Sequence, residues 1–476
     1  MAYIPTIGLE IHIEPKTKTK MFCGCANDPF KAKPNANVCP ICLAHPGTLP
    51  TINKEAVEAT IKLGLALNGK IADLSHFDRK SYFYPDLPKG YQISQYKSPL
   101  VEGGMLKDVR ITRVHLEEDT GKLLHAKDKK SSNVDLNRAG VPLMELVTEP
   151  DIKNGKQAME FAKELQLTLR YLRVSNADME KGEMRVEANI SISKDKKTLG
   201  TKVEIKNLNS FKIVGDAIND EIKRQEKLLG RGDKIVQETR GWDEKKQKTV
   251  SQRSKEEAHD YRYFPEPDLP ELDLTDPNYI DTELLFRELP ELPQAKRDRF
   301  KSEYGLNEKQ ADTLVAEPRA AEFYEQAVSE CKTEDAKKCS SLIYNYLTSD
   351  LFGLLKEKNI SFEDLKINPE NFADLAALAS KGELSSRMVK DILPKMAETG
   401  EDPRAIMDKE GIEQVSDEDA ILKVIQKVIG ENEQAVKDYK GGNENTLKFL
   451  IGQTMKELKG QGNPQRIQKI LKKELS

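Results

Sequence analysis

Four cysteines and a scatter of carboxylates are the residues with the most chemistry to offer. Cys23-x-Cys25 is followed, thirteen residues later, by Cys39-x-x-Cys42. Two close pairs can each give two thiolates to one tetrahedral Zn²⁺, and the stretch from Ala26 to Val38, with Pro29 and Pro34, is long enough to fold back between them. Plain buried or exposed thiols are the alternative, and a reactive cysteine fits least because no partner histidine is evident. Cys331 and Cys339 stand apart in a helical region and read as ordinary helix residues. Of the carboxylates, Glu10 lies two residues from His12, and His115-Leu116-Glu117-Glu118-Asp119 ends a second segment. Glu187 is the third contributor. Oxygen-rich sets with one imidazole suit Mg²⁺ or Mn²⁺, but a solvated polar sheet face stays open, since spacing alone does not bring three strands together.

Further segments suit anions and bases. Lys202-Val-Glu204-Ile-Lys206-Asn207-Leu-Asn209-Ser210-Phe211 is a strand running into a helix start, where free backbone N–H groups and a lysine favour a phosphate. The loops Tyr82 to Tyr91 and Asp260 to Pro265 mix aromatics with cations, a combination that can stack on a nucleobase or simply pack under a loop. Gly64-Leu-Ala-Leu-Asn-Gly69-Lys70 imitates a phosphate-binding P-loop. It is followed by Ile71 where a Ser or Thr hydroxyl is needed, and it closes a helix instead of opening one, so it is a decoy.

The elements that must hold these residues are legible from periodicity. Over Thr6 to Glu14, Ile7, Leu9, Ile11 and Ile13 alternate with Gly8, Glu10, His12 and Glu14, which predicts a strand with an apolar back and an ionisable front. Met184 to Ile192 repeats the pattern with Glu187 on the polar side, and Val109 to Glu118 reads as another strand. Helices are predicted from Asn53 to Leu67 and after Ser210. Phe264 to Pro293, with six prolines, nine acids and Arg287 as its one base, reads as an extended linker or a strap hugging the surface. Beyond it the chain turns helical over Arg319 to Lys332, Cys339 to Lys358 and Ala373 to Ser380. Lys437 to Ser476 carries nine Lys or Arg against four acids.

With 476 residues the chain has room for two to four domains, at roughly 100–200 residues each. The expected class is α+β: a large N-terminal domain (1–293) with a mostly antiparallel sheet, flanking helices and a zinc knuckle at 23–42, an all-α domain (294–407), and a small helical tail (408–476). Six cysteines are too few for a disulfide scaffold. No apolar run reaches the roughly 20 residues of a membrane span, and the start lacks a secretory pattern, which together point to the cytoplasm. The net charge of -4 does not by itself announce a nucleic-acid binder.

Seven segments in order, Ile7 to His12, Tyr82 to Gln95, His115 to Lys122, Asp135 to Asp151, Arg185 to Ile192, Glu204 to Phe211 and Asp260 to Pro270, resemble one family: the GatB family, which supplies the kinase and transamidase subunit of the glutamyl/aspartyl-tRNA amidotransferase. The resemblance runs over essentially the whole chain, and its most specific piece is Asp135-x-Asn-Arg-x-Gly-x-Pro-Leu-x-Glu145. It implies a glutamine-dependent carbon–nitrogen ligase that phosphorylates the side-chain carboxylate of Glu-tRNA(Gln) or Asp-tRNA(Asn) with ATP and then amidates it. The implied assembly is a heterotrimer. Ammonia would come from an amidase partner, a third, small subunit would clamp the two, and the basic tail would bind tRNA. The implied cofactors are ATP, Mg²⁺ and a structural Zn²⁺ on Cys23, Cys25, Cys39 and Cys42, a knuckle found in part of the family. By resemblance Glu10, His12, Glu117 and Glu187 form the magnesium set, and Glu118 marks where ammonia enters. Lys80, Lys89, Arg138, Arg185 and Lys206 face phosphate oxygens, with Asn207 beside the nucleotide. Some relatives carry Asp at the position of Glu187. A non-catalytic zinc-containing RNA-binding scaffold is the competing reading. It leaves the strand-face carboxylates unexplained, because they repel phosphate unless a metal intervenes.

Overall fold

The computed structural model describes residues 3–126, 131–195, 198–254, 261–333, 335–412, 418–458 and 460–475. Asp260 of the aromatic loop and Lys459 and Ser476 of the basic tail lie outside them. The alternation at the N-terminus becomes strand β1 (Ile4–Ile13), with Ile7, Leu9, Ile11 and Ile13 all buried. Eight further strands extend it: β2 (Asp78–Ser81), β3 (Tyr91–Ser94), β4 (Val109–Glu118), β5 (Pro142–Thr148), β6 (Met184–Ser193), β7 (Val203–Leu208), β8 (Glu238–Asp243) and β9 (Lys248–Ser254). They lie in the order β9-β8-β7-β6-β1-β5-β4-β3-β2. Every neighbouring pair in this row is antiparallel except β7 with β8. That exception follows from the connection: a long helix between them carries the chain back to the end it started from, which a tight hairpin cannot do.

Three helices cover the apolar back of the sheet. α1 (Lys54–Ala66) begins at Asn53, whose side chain accepts a hydrogen bond from the Ala56 N–H. α2 (Gly155–Tyr171) and α3 (Phe211–Gly230) are capped in the same way by Asn154 and Ser210. Phe161, Leu165 and Leu169 of α2 and Val214, Ala217 and Ile218 of α3 share one core with the β1 isoleucines. The P-loop imitation is a packing device. A Cβ at Gly64 would lie 2.5 Å from Val101, and one at Gly69 would lie 2.6 Å from it.

Residues 264–293 form a strap. Leu272–Asp273 pairs antiparallel with Leu74–Ser75, and Leu272, Leu274, Ile280 and Leu285 are buried in the sheet's own core. Most of the acids that suggested a linker lie on the exposed side, between these anchors. Glu266 is the buried exception, held by Arg79 at 2.7 Å.

The chain divides into two compact units, Met1–Pro293 and Gln294–Ser476. The second is helical and includes α4 (Pro318–Glu330) and α5 (Ala336–Asn345). The helical stretch expected over Cys339 to Lys358 is α5 followed by a π-helical turn, Tyr346–Leu351, and a short helix, Phe352–Lys358. Cys331 and Cys339 are not ordinary helix residues. Cys331 sits just past the end of α4 and is joined by a disulfide to Cys339 in α5, with Cα atoms 6.7 Å apart. The break between the two expected helical stretches is where they meet, but helical composition gives no sign that the two thiols pair across it. Toward the C-terminus, α6 (Glu418–Glu431), α7 (Asn445–Glu457) and α8 (Pro464–Leu475) build a core of their own from Ile421, Ile425, Leu447, Leu450, Ile467 and Leu471. Among the described residues no helix is long and apolar enough to cross a membrane.

The tightest backbone approach joins α2 to α3. A Cβ at Gly155 would stand 2.1 Å from the carbonyl oxygen of Gly215, and the Gly155 N–H donates to Asn219 Oδ1 at 3.0 Å. Gly155→Ala should therefore cost about 1–3 kcal/mol by overpacking, read as a fall in the denaturation midpoint. Gly353→Ala, at a helical site with open space around it, should instead gain about 0.4–1 kcal/mol.

Candidate active site

Period-two alternation turns Glu10 and His12 to the face opposite the isoleucines, and strand register brings their counterparts alongside. Glu10 stands opposite Glu187 and His12 opposite Arg185 on β6. On the other side His12 stands opposite Glu145 of β5, which in turn faces His115 of β4, with Glu117 two residues further along the same face. Four adjacent strands thus crowd acids and imidazoles onto one patch. His12 Nε2 lies 3.5 Å from Glu145, 3.7 Å from Glu117 and 3.9 Å from Glu10, and His115 Nε2 lies 3.5 Å from the same Glu145 oxygen.

Two triads, Glu10/His12/Glu145 and His115/Glu117/Glu145, each bring three potential ligand atoms within 4.8 Å of one another. Carboxylate oxygens with imidazole nitrogens suit a hard divalent cation, so this donor set fits the expected magnesium. Of the four residues expected there, Glu10, His12 and Glu117 come together. Glu187 is adjacent to Glu10 across the strands, but Lys206 holds its carboxylate at 2.7 Å. Glu145 and His115 are members that sequence reasoning missed. Glu145 closes the most specific motif, yet β5 is buried on both faces, so no alternation marked which way it points.

The electrostatics follow from the crowding. Burial, with Glu145 adding to it, pushes the Glu10 carboxyl up to about 7. Burial disfavours a charge on His12, but the hydrogen bond and charge of Glu145, helped by Glu117, outweigh it and lift the imidazole to about 9. Glu145 is likewise buried, yet His115 and His12 hold it well below the usual carboxylate range.

Lys80, Arg138, Arg185 and Lys206 of the expected phosphate-facing cations ring this patch, most of them already paired, whereas Lys89 lies on the other side of β4 with Glu118. Arg185 Nη2 meets Asp119 at 2.8 Å, and Arg138 Nε reaches the same carboxylate at 3.5 Å while also donating to the Thr120 and Gly121 carbonyls. A register shift between β6 and β7 accompanies Asn207, an exposed residue at φ 59°, and Lys206 beside it turns to the front, where it reaches Glu187. Lys80 lies 5.1 Å from the centre of the Tyr261 ring, and Glu117 and Tyr263 raise its pKa against the effect of burial. The two aromatic loops meet there: Tyr82 packs edge-on to Tyr261, and Tyr96 stacks on Tyr263 at 4.2 Å. Phe83 remains 90% exposed.

Glu118 has the opposite parity. Its carboxylate accepts from Lys89 Nζ at 2.6 Å and from the Ile93 N–H at 2.9 Å. It lines a cavity of about 230 Å³ together with Phe22, Cys23, Cys42, Lys89 and Gly140. Glu117 and Glu118, consecutive in sequence, therefore serve two separate spaces on either side of β4.

The four cysteines also converge, with their Sγ atoms within 4.8 Å of one another and Cys42 Sγ accepting the Cys39 N–H at 3.2 Å. Tetrahedral zinc with bonds of about 2.3 Å places its sulfurs about 3.8 Å apart, so the four thiols fit it. Cys23, through its side-chain hydrogen bond, holds the Cys42 thiol down to about 4, and is itself pushed far up. Asparagines clamp the loop between the cysteine pairs to the loop after Val134. Asn35 exchanges hydrogen bonds with Asp135, Val134 and Leu136, Asn37 N–H donates to Asn137 Oδ1 at 2.8 Å, and Asn137 Nδ2 donates back to the Lys33 carbonyl.

An oxygen-rich patch on one face of an antiparallel sheet, ringed by lysines and arginines, marks this unit as a catalytic domain. The sequence profile of the GatB/GatE catalytic domain matches residues 5–280, and that of the GatB domain matches residues 322–475. The chain belongs to the GatB family, the B subunits of aspartyl/glutamyl-tRNA(Asn/Gln) amidotransferases. It is 46% identical over 480 residues to the B subunit so named in Persephonella marina, with 99% of each chain covered. It is 45% identical to that of a Thermoanaerobacter species over 485 residues, covering 100% of both, and 45% identical to that of Thermotoga maritima over 487 residues, covering 99% of both.

Glu14, at the end of the same polar row, tests how charge is stored here. Burial, with Asp119 adding to it, pushes its carboxyl up to about 8. The folded chain thus holds a proton that the unfolded chain releases. That contribution to stability is complete below the ordinary value of 4.5 and is lost as pH rises through 8. Melting temperatures of metal-free protein between pH 5 and 9 should fall with pH more steeply for the native chain than for Glu14→Gln.

Proposed function

We propose that this chain is the kinase and transamidase subunit of a tRNA-dependent amidotransferase, acting on Glu-tRNA(Gln) or Asp-tRNA(Asn). The observation that carries the mechanism is the convergence of Glu10, His12, Glu117 and Glu145 on one sheet face, flanked by Lys80, Arg138, Arg185 and Lys206. A carboxylate resists attack by ammonia because its charge and resonance oppose a nucleophile. Transfer of the γ-phosphoryl group of ATP to a side-chain oxygen, releasing ADP, converts that oxygen into a leaving group, and ammonia then displaces phosphate to leave the amide.

Glu10, His12, Glu117 and Glu145 would hold the divalent cation, with Glu187 as an outer member that Lys206 can release. A cation bound there neutralises phosphate charge and supplies Lewis-acid assistance. The flanking ion pairs are the chain's own contribution. Arg138, Arg185 and Lys206 sit against carboxylates until phosphate oxygens offer better partners, and Lys80 is held charged beside Glu117. This arrangement keeps cations aimed without leaving them unpaired. Asn207 and the start of α3 border the nucleotide. Glu118, backed by Lys89, takes the proton from ammonium on the far side of β4, so that free ammonia reaches the acyl phosphate. The ammonia comes from an amidase partner, held in place by a third, small subunit. The helical unit divides at about 407 into a helical domain, 294–407, and a tail, 408–476, that docks tRNA. Zinc on the four cysteines serves structure.

The test is conversion of Glu-tRNA(Gln) or Asp-tRNA(Asn) by the complex reconstituted with its partner subunits. Glu145→Gln should abolish tRNA-stimulated ATP turnover and amide formation together. Glu118→Gln should leave ATP turnover in place while amide formation drops about 10²–10⁴-fold. If the native complex turns over no ATP with mischarged tRNA, the RNA-binding scaffold is the correct reading instead.

The tail gives an independent prediction. Arg466, Lys469, Lys472 and Lys473 are exposed on α8, opposite its buried Ile467 and Leu471. Replacing Lys469 and Lys472 with Glu should weaken tRNA binding and flatten its salt dependence by about one unit of log–log slope per lost phosphate contact. ATP turnover at saturating tRNA should be unchanged.

A further inference from the structure

Lys20 is a fully buried lysine, with none of its surface exposed. Among the described residues no carboxylate pairs with it. Its ammonium has two partners, Cys42 Sγ at 3.7 Å and the Leu136 carbonyl at 3.3 Å. Glu118, which also borders this spot, is held by Lys89. The site is shaped for the lysine. Gly140 sits at φ +86°, and a Cβ there would lie 3.6 Å from both the Lys20 Cδ and the Cys42 Cβ. The neighbouring Met21 N–H donates to the Gly140 carbonyl at 2.8 Å.

A buried ammonium without a counter-charge is strongly destabilising, and removing one partner of a buried ion pair leaves that penalty exposed. Four thiolates around one Zn²⁺ carry two net negative charges, which burial penalises in the same way. Each charge therefore answers the other. We propose that Lys20 is the counter-ion of the zinc knuckle, a positioning residue that neutralises half of its excess charge. Through the Leu136 carbonyl it also ties the metal centre to the Asp135–Gly140 loop that carries Arg138. The knuckle is on this account an electrostatic anchor for that loop, beyond being a fold in the chain. Residues outside the coordination sphere tune metal affinity in this way elsewhere, typically by 10- to 100-fold.

The experiment uses the full-length chain and needs neither ATP nor tRNA, so its outcome is independent of the proposed catalytic reading. Zinc transfer to a colorimetric chelator is followed for the native chain, Lys20→Met and Lys20→Gln, and melting temperatures are measured for zinc-loaded and stripped protein. Lys20→Met, which keeps the stem and loses the charge, should give up zinc about 10- to 100-fold more readily. Lys20→Gln, which keeps a donor toward Leu136, should resemble it. Stripping zinc should lower the melting temperature of the native chain more than that of Lys20→Met, and in stripped protein the Met variant should be at least as stable as the native one. Native-like zinc retention by either variant, equal losses on stripping, or a native chain that binds no zinc would each overturn the proposal.

Discussion

Neighbouring strands of a sheet lie about 4.8 Å apart, so ionisable residues in register on one face have no room to avoid one another. That constraint shapes the front of this molecule. Glu10, Glu117, Glu145 and Glu187 come from four strands, and their carboxylates would repel without opposite charge between them. Two histidines and a ring of lysines and arginines supply it. His12 is lifted to about 9 because it lies between Glu145 and Glu117, and Glu145 is held low because it lies between two imidazoles. Glu10, buried and beside Glu145, keeps its proton to about 7. The patch is a set of charges compensated locally and imperfectly, which is the state a divalent cation and a polyphosphate can improve.

The same constraint orders what surrounds the sheet. The apolar back needs cover, and α1, α2, α3 and the strap provide it from distant parts of the sequence. The loop carrying Arg138 is held at both ends, by the pairing of Asp135 with Lys122 and by the Gly140 N–H on the Asp119 carbonyl, and asparagines tie its middle to the knuckle. A proline-rich acidic segment that looks like a tether in sequence is part of the core because four of its apolar residues are inserted there.

Strand alternation, helix caps and cysteine spacing are local properties, and they were legible. β1 and β6 fall within one or two residues of their expected bounds, α1 begins just after Asn53, at the expected helix start, and the four early cysteines meet. What was not legible depends on register and on distant chain. Glu145 and His115 join the cluster because β5 lies between β1 and β4, an order no local pattern encodes. The bond between Cys331 and Cys339 depends on how α4 and α5 fold back on each other, which helical composition does not encode. The pairing of Glu187 with Lys206 depends on a register shift at Asn207. Seven ordered motifs did reveal the family, because a resemblance carries non-local information that periodicity lacks.

Glu117 and Glu118 occupy successive positions of one strand, and a single backbone is all that divides the chamber each one faces. The side-chain period of a strand is two, so an insertion or deletion of one residue anywhere between the start of β4 and Glu117 would exchange their allegiances. The carboxylate of the cation patch would be delivered to the cavity beside the cysteines, and its neighbour to the patch. Length in this strand is consequently a coding property of its own, separate from residue identity. A chain retaining every one of these side chains but miscounted by one would present each carboxylate to the space its neighbour now faces.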